Sequence, residues 1–258
     1  MSKTALITGA SAGIGGRFAR LLAREGYDLV LVARDETRLR ETAEALEKEF
    51  GIRCEILVAD LSTDIGTKLV EDRVSDSERP IDVLINNAGF GIRESFLRSH
   101  KDAEQQLMDV LVRTPMRLMH SVLPIMKERN SGIIINVSSV AGWIAGGTYS
   151  AAKSYLTVLS ESLHTELRAT NVNVLALCPG FTHTEFHERG KMRMEALPNF
   201  MWLDADLVVA KAWSDALSGK AVSVPGWQYS IVSSLARFAP RPLVRKIGMN
   251  VRVRQRRK

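Results

Sequence analysis

Short apolar runs alternate with longer segments of helical period along the first 225 residues. The runs are TALIT (4–8), DLVLVA (28–33), CEILVA (54–59), DVLINN (82–87), GIIINVS (132–138), VNVLALC (172–178) and AVSVP (221–225). They are rich in Val, Ile and Leu with little polar alternation, so they read as strands covered on both faces. Helical patterns fill 13–25, 35–50, 101–129, 148–170 and 204–218. This alternation predicts an α/β fold, a doubly wound parallel sheet of about seven strands with helices on both faces and right-handed crossovers. No repeat or low-complexity linker interrupts it, so residues 1–228 are expected to form a single domain. Residues 229–258 then form a C-terminal extension.

Composition changes this picture in one place. The chain has 258 residues, is 45% hydrophobic and 25% charged, and carries a net charge of +6. After Asp215 there is no acidic residue, but ten basic ones follow, from Lys220 to Lys258; without them 25 basic residues face 29 acidic, a body of −4. The basicity therefore belongs to the tail, not to a nucleic-acid groove across the domain, and nucleic acid is not an expected partner. No apolar run reaches the roughly 18 residues of a membrane span. A strand pattern opening at Lys3 leaves no signal peptide, and Cys54 and Cys178 follow no metal or redox spacing. Buried free thiols in the cytoplasm are expected.

The first candidate chemistry is TGASAGIG, Thr8 to Gly15, between the first strand and the first helix. Gly9, Gly13 and Gly15 remove side chains where backbone must turn, approach a pyrophosphate and pack helix on strand. The helix N-terminus offers free N–H groups to the phosphates. Such a loop alone also fits a structural turn; its place after a strand and before a helix favours a dinucleotide. The second candidate is Tyr149 with Lys153, at i and i+4 on one helical face. Taken alone, this pair is more often a surface pair.

Together with NNAG (86–89), these motifs resemble the short-chain dehydrogenase/reductase family over residues 3 to about 225. The resemblance implies a Rossmann-type sheet in the order 3-2-1-4-5-6-7 with a nicotinamide cofactor at the switch point. It assigns Ser139, Tyr149 and Lys153 to catalysis. It places Gly9, Ser11, Gly13, Ile14, Gly15, Arg34, Asp60, Leu61, Asn87, Gly89, Pro179, Gly180, Thr182 and Thr184 along the cofactor, with Tyr149 and Lys153 also touching it. No metal is implied. Arg34 follows the last apolar residue of strand two, where a guanidinium grips a 2′-phosphate bidentately. NADP(H) is favoured on that ground, while Asp35 next to it keeps NAD(H) open.

A tyrosine with an ordinary pKa of about 10 needs help to exchange protons near neutrality. An ammonium about 4 Å from the phenolate is worth about 4 kcal/mol at an effective dielectric near 20. That is roughly 3 pKa units, part of which burial takes back. In the family mechanism Tyr149 donates a proton to a ketone oxygen or accepts one from an alcohol. Lys153 lowers its pKa and holds the ribose, and Ser139 hydrogen-bonds the carbonyl oxygen. Ser139 is preferred to Ser138 because SVAG aligns with the family's serine turn; Ser138 is expected to complete the strand.

Two departures stand out. The ten residues from Ser139 to Tyr149 fall short of the family's usual spacing. Leu111 occupies the place of an asparagine that supports a water-mediated proton path, which puts that relay in doubt. A cofactor-binding sensor that kept the fold and lost turnover is therefore the alternative to an active enzyme.

The expected substrate lid, about 182–203, carries Phe186, Met192, Met194, Leu197, Phe200, Met201 and Trp202. Adaptable apolar side chains suit a bulky, lipophilic ketone or alcohol, an acyl chain or steroid-like ring, although packing or a subunit interface reads the same. His183 and His187 read as polar lid residues. In the tail, Ile231, Leu235 and Phe238, then Leu243 and Ile247, recur at helical spacing beside clustered arginines. Peripheral contact with an anionic membrane is one reading; docking on the body, on another subunit, or a solvated end are the others. A homodimer or homotetramer is expected by analogy with the fold.

Overall fold

The computed structural model describes residues 2–185, 198–240, 242, 244 and 245. In chain order the elements are β1 (Thr4–Thr8), α1 (Gly13–Arg24), β2 (Asp28–Ala33), α2 (Glu36–Phe50), β3 (Cys54–Val58), α3 (Asp64–Val74) and β4 (Val83–Asn86). Then follow α4 (Lys101–Met108), a π-turn (Asp109–Arg113), α5 (Thr114–Glu128), β5 (Gly132–Val137), a 3₁₀ turn (Val140–Trp143) and α6 (Thr148–Glu166). The chain continues with β6 (Val172–Leu177), α7 (Ala205–Leu217), β7 (Val222–Ser223) and α8 (Trp227–Phe238). The seven strands form one sheet in the order β3-β2-β1-β4-β5-β6-β7, and every pairing is parallel. This is the Rossmann-type order expected from the sequence.

The continuous apolar runs are explained by two cores, one on each face. Ala5, Ile7, Leu29, Leu31, Val83, Ile85, Ile135 and Leu175 point to the face packed by α1, α2 and α7. Their neighbours Leu6, Val30, Val32, Leu84, Ile134 and Val174 point to the face packed by α3, α5 and α6. Successive strand residues point to opposite faces, so the central strands carry polar side chains only at or next to their ends, as at Asn136 and Asn173, and buried Asn136 is hydrogen-bonded to Asn86 and Ser160.

Two features differ from the periodicity. The helix predicted over 101–129 is broken by the π-turn, where the Thr114 N–H bonds to Asp109 O. Pro115 follows, with no N–H to offer the preceding carbonyls, so the regular ladder cannot continue through this point. The boundary between body and extension drawn at 228/229 falls inside α8, whose Tyr229 is fully buried in the body.

Candidate active site

The site lies at the carboxyl edge of the sheet, where β1, β4, β5 and β6 end. Gly9 and Gly13 have φ of +68° and +55°, a backbone that side chains rarely adopt. A Cβ on Gly15 would stand 2.3 Å from Gly9 O, so helix α1 and the loop can approach this closely only through glycine. Ala12 at the start of α1 provides no side-chain cap, leaving that helix end without a side-chain acceptor. This cradle fits a dinucleotide pyrophosphate. Ser11 and Ile14 are part-buried in it, Ile14 packing on the core.

Thr8 ties the cradle to the NNAG segment. Its hydroxyl donates to Ile85 O and accepts from the N–H groups of Asn87 and Ala88 at 2.9 and 3.0 Å. Asn87 in turn donates Nδ2 to Thr8 O and Gly9 O at 2.9 and 3.2 Å. Asn87 thus shapes the loop from behind. Nothing in the sequence marks Thr8 for this double-acceptor role, since a threonine closing a strand is ordinary.

Past β2, Arg34 is exposed, and its charge reaches Asp60 beyond β3. Burial pushes the Asp60 carboxyl up, but hydrogen bonds from Ser62 and the charge of Arg34 outweigh it and hold the group below its ordinary value. Leu61 is buried, its carbonyl accepting from Thr114. Asp35 is engaged as the N-cap of α2, accepting from Arg38 N at 3.1 Å, a contact worth about 1 kcal/mol to the helix. Its carboxylate is therefore committed to the helix end.

Beyond β5, Ser138 is buried. Its hydroxyl donates to Lys153 O at 2.7 Å and pairs with Thr157, so it locks strand to α6. Ser139 begins the 3₁₀ turn, accepting from Ala141 N at 3.1 Å, and its hydroxyl is near enough to the Tyr149 phenol to favour the phenolate. The short spacing still brings the two together, because Gly147 (φ +87°) turns the chain into α6 immediately before Tyr149. Lys153 is buried one turn on, donating Nζ to Val137 O at 2.6 Å and standing 5.7 Å from the Tyr149 ring centre.

The electrostatics correct the sequence arithmetic. Burial pushes the Tyr149 phenol up to about 12, and the Ser139 hydrogen bond only partly opposes it. Burial likewise lowers Lys153 to about 8. Burial outweighs the help expected from the ammonium, because desolvation acts on both groups and the lysine's proton is directed at a strand-end carbonyl.

Leu111 lies in the π-turn. Its Cδ2 would be 2.7 Å from a Cβ on Gly89, and Lys153 Nζ 3.9 Å, so Gly89 is wedged between them. Beneath them is a cavity of about 10 Å³, lined by Asn86, Leu111, Thr114 and Lys153 among others. That is about the size of one water. Asn86 donates to Asn136 at 2.8 Å, while its own buried Oδ1 has no partner among the described residues.

After β6, Pro179 O accepts from Val140 N at 3.1 Å, and Gly180 lies flat against the Tyr229 ring. Thr182 is buried and bridges to Leu203; Thr184 stands against Gly13, at 3.4 Å from where its Cβ would be. Residues 182–184, where the expected lid begins, thus run over the glycine loop. His183 stacks on Trp202 at 4.6 Å, and Phe200 is exposed. Phe186, His187, Met192, Met194 and Leu197 lie outside the described residues. Among the described residues no three His, Cys, Asp or Glu gather as a metal site.

A parallel sheet with a glycine cradle at its first turn and a Ser–Tyr–Lys cluster beside it defines the class of Rossmann-type, dinucleotide-dependent oxidoreductases. The short chain dehydrogenase family model matches residues 3–194, and the chain belongs to that family. It is 34% identical to the ketoacyl reductase HetN of Nostoc sp. over 92% of this chain and 82% of that protein. A short-chain dehydrogenase from Sphingobium yanoikuyae in complex with NADPH superimposes with a TM-score of 0.84, at 31% identity over 91% of this chain and 94% of the other. The bulky-bulky ketone specific alcohol dehydrogenase of Comamonas testosteroni gives 0.79, at 30% identity over 91% and 92%.

Proposed function

We propose that the protein is an NADP(H)-dependent reductase or dehydrogenase interconverting a bulky, lipophilic ketone or aldehyde and its alcohol. The observation that carries this reading is the buried Lys153, its Nζ 5.7 Å from the Tyr149 ring centre and one turn past it on α6, beside the Ser139 turn and the glycine cradle at the carboxyl edge of the sheet. When bound, the nicotinamide supplies or takes the hydride. Tyr149 gives its hydroxyl proton to the carbonyl oxygen in reduction and takes it back in oxidation. Ser139 donates a hydrogen bond to the same oxygen as negative charge develops. Lys153 orients through Val137 O and holds the ribose hydroxyls. Asn86, lining the cavity that Lys153 also lines, offers the acceptor that Leu111 lacks, which favours turnover over a silent sensor.

NADP(H) is supported by Arg34, exposed at the adenosine end, and by the engagement of Asp35 as a cap. A lipophilic substrate is supported by the aromatic and thioether lid, and by relatives acting on ketoacyl groups and bulky ketones. A homodimer or homotetramer is the expected assembly. The test is a panel of ketones and aldehydes with NADPH and NADH, followed at the nicotinamide absorbance band. Tyr149→Phe should cut turnover at least ~10²-fold, the usual worth of a positioned acid–base group, while NADPH binding by fluorescence titration stays unchanged. Turnover confined to small polar sugars, or retained by the phenylalanine variant, would overturn the reading.

A further inference from the structure

Helix α8 turns a row of apolar side chains away from the body. Tyr229 and Ser233 face inward and are buried, and Tyr229 donates to Met201 O and accepts from Phe181 N, so this helix also braces the lid's base. On the opposite arc lie Trp227, Ile231, Leu235 and Phe238, exposed by 72, 53, 66 and 89%. Their spacing confines them to one narrow stripe of the helix. The stripe is held outward by Arg237, whose guanidinium lies 4.8 Å over the Trp143 ring and 3.4 Å from Glu161. A contiguous exposed stripe of this size marks an interaction surface.

The chain that follows says what covers it. From Arg241 to Lys258 there are eight basic residues and no acidic one. An exposed apolar stripe leading directly into a cationic segment is the pattern of an interfacial helix, its apolar side chains at the acyl boundary and its cations at the phosphates. A second copy seated on the stripe would bring its own eight cations to the same place, and nucleic acid would leave the stripe uncovered. No described helix is long and apolar enough to cross a membrane, so the contact is peripheral.

We propose that α8 and the basic segment after it bind the surface of an anionic lipid bilayer, the helix lying in its plane with Trp227, Ile231, Leu235 and Phe238 inserted. The inner face of the same helix then holds the lid base close to the lipid.

The test is flotation of the full-length protein with vesicles of phosphatidylcholine containing one third phosphatidylglycerol, against phosphatidylcholine alone. Binding is expected to the anionic vesicles and to fall at least tenfold on the neutral ones. It should fall as far when Leu235→Glu and Phe238→Glu are combined, both exposed changes, with the circular dichroism spectrum unchanged. A second variant with Arg252, Arg254, Arg256 and Arg257 each changed to Gln should lose binding independently. Equal partitioning of the wild type between the two vesicle types, no binding to either, or full binding by the double glutamate variant would each overturn the proposal. A native mass halved by the double glutamate variant, without vesicle binding by the wild type, would assign the stripe to a second copy instead.

Discussion

At the scale of single residues, the decisive balance is between desolvation and partnership. Lys153 keeps a buried ammonium by donating to one carbonyl, and burial brings its pKa from 10.5 down to about 8. Between those values the unfolded chain binds the proton that the folded chain has released, so folding stability rises with pH across that window. The gain is on the order of 3 kcal/mol at 1.36 kcal/mol per pKa unit. Below pH about 8 both states carry the charge and the cost is constant. Tyr149 acts in the opposite sense: with its pKa raised to about 12, stability is lost as pH climbs from 10 through 12. Lys153→Met should be more stable than the wild type at neutral pH, and the advantage should shrink toward pH 10. Urea unfolding of both proteins at intervals from pH 7 to 10 measures this; a constant difference across the range would show that the lysine is not desolvated. The pair itself was legible as Tyr-x-x-x-Lys, but its protonation was not. Sequence spacing places two side chains on one face without telling how far burial raises the cost of their charges.

Among the elements, what the sequence displayed was periodicity, and what it concealed was backbone and close contact. All seven strands stand where continuous apolar runs predicted them, because a strand buried on both faces has no choice of composition. The π-turn at Asp109–Arg113 was hidden inside an uninterrupted amphipathic pattern, since the freed carbonyls next to Pro115 change hydrogen bonding and leave the apolar face intact. Ser139 is singled out in the sequence by neighbours that resemble a known turn, whereas the locking of Ser138 onto α6 depends on a contact between strand end and helix that no spacing displays. The tightest hidden contact is at the turn after β6. A Cβ on Gly180 would fall 2.0 Å from the Tyr229 ring, which is buried and hydrogen-bonded to Phe181 and Met201 and so cannot swing aside. Gly180→Ala should therefore behave as an overpacked core change, costing about 1–3 kcal/mol. In a chain of this length that lowers the melting temperature by roughly 2–4 °C per kcal/mol. Differential scanning calorimetry would show it. The paired change Gly180→Ala with Tyr229→Leu should recover part of the loss, and an unshifted single variant would mean that the α8–turn contact is loose.

For the whole molecule, the ends of four strands, the glycine loop and residues 182–184 form one edge, so cofactor binding should be felt globally. Thr184 against Gly13 joins the segment after β6 to the glycine loop, and Thr8 with Asn87 joins that loop to β4. A ligand bound only by the folded chain adds RT ln(1 + [L]/Kd), about 2.7 kcal/mol at a hundredfold excess over Kd. At roughly 2–4 °C per kcal/mol, saturating NADPH should raise the melting temperature by about 5–11 °C. If Arg34 grips the 2′-phosphate, a charge-assisted contact worth about 1.5–3 kcal/mol separates NADPH from NADH, a factor of about 10 to 150 in affinity. At equal concentrations NADH should then give a shift smaller by several degrees. Arg34→Ala should reduce the NADPH shift to the NADH value while leaving the NADH shift alone. Equal shifts from the two cofactors in the wild type would remove Arg34 as the selector. The adenosine end would then have to discriminate through Asp60 or not at all.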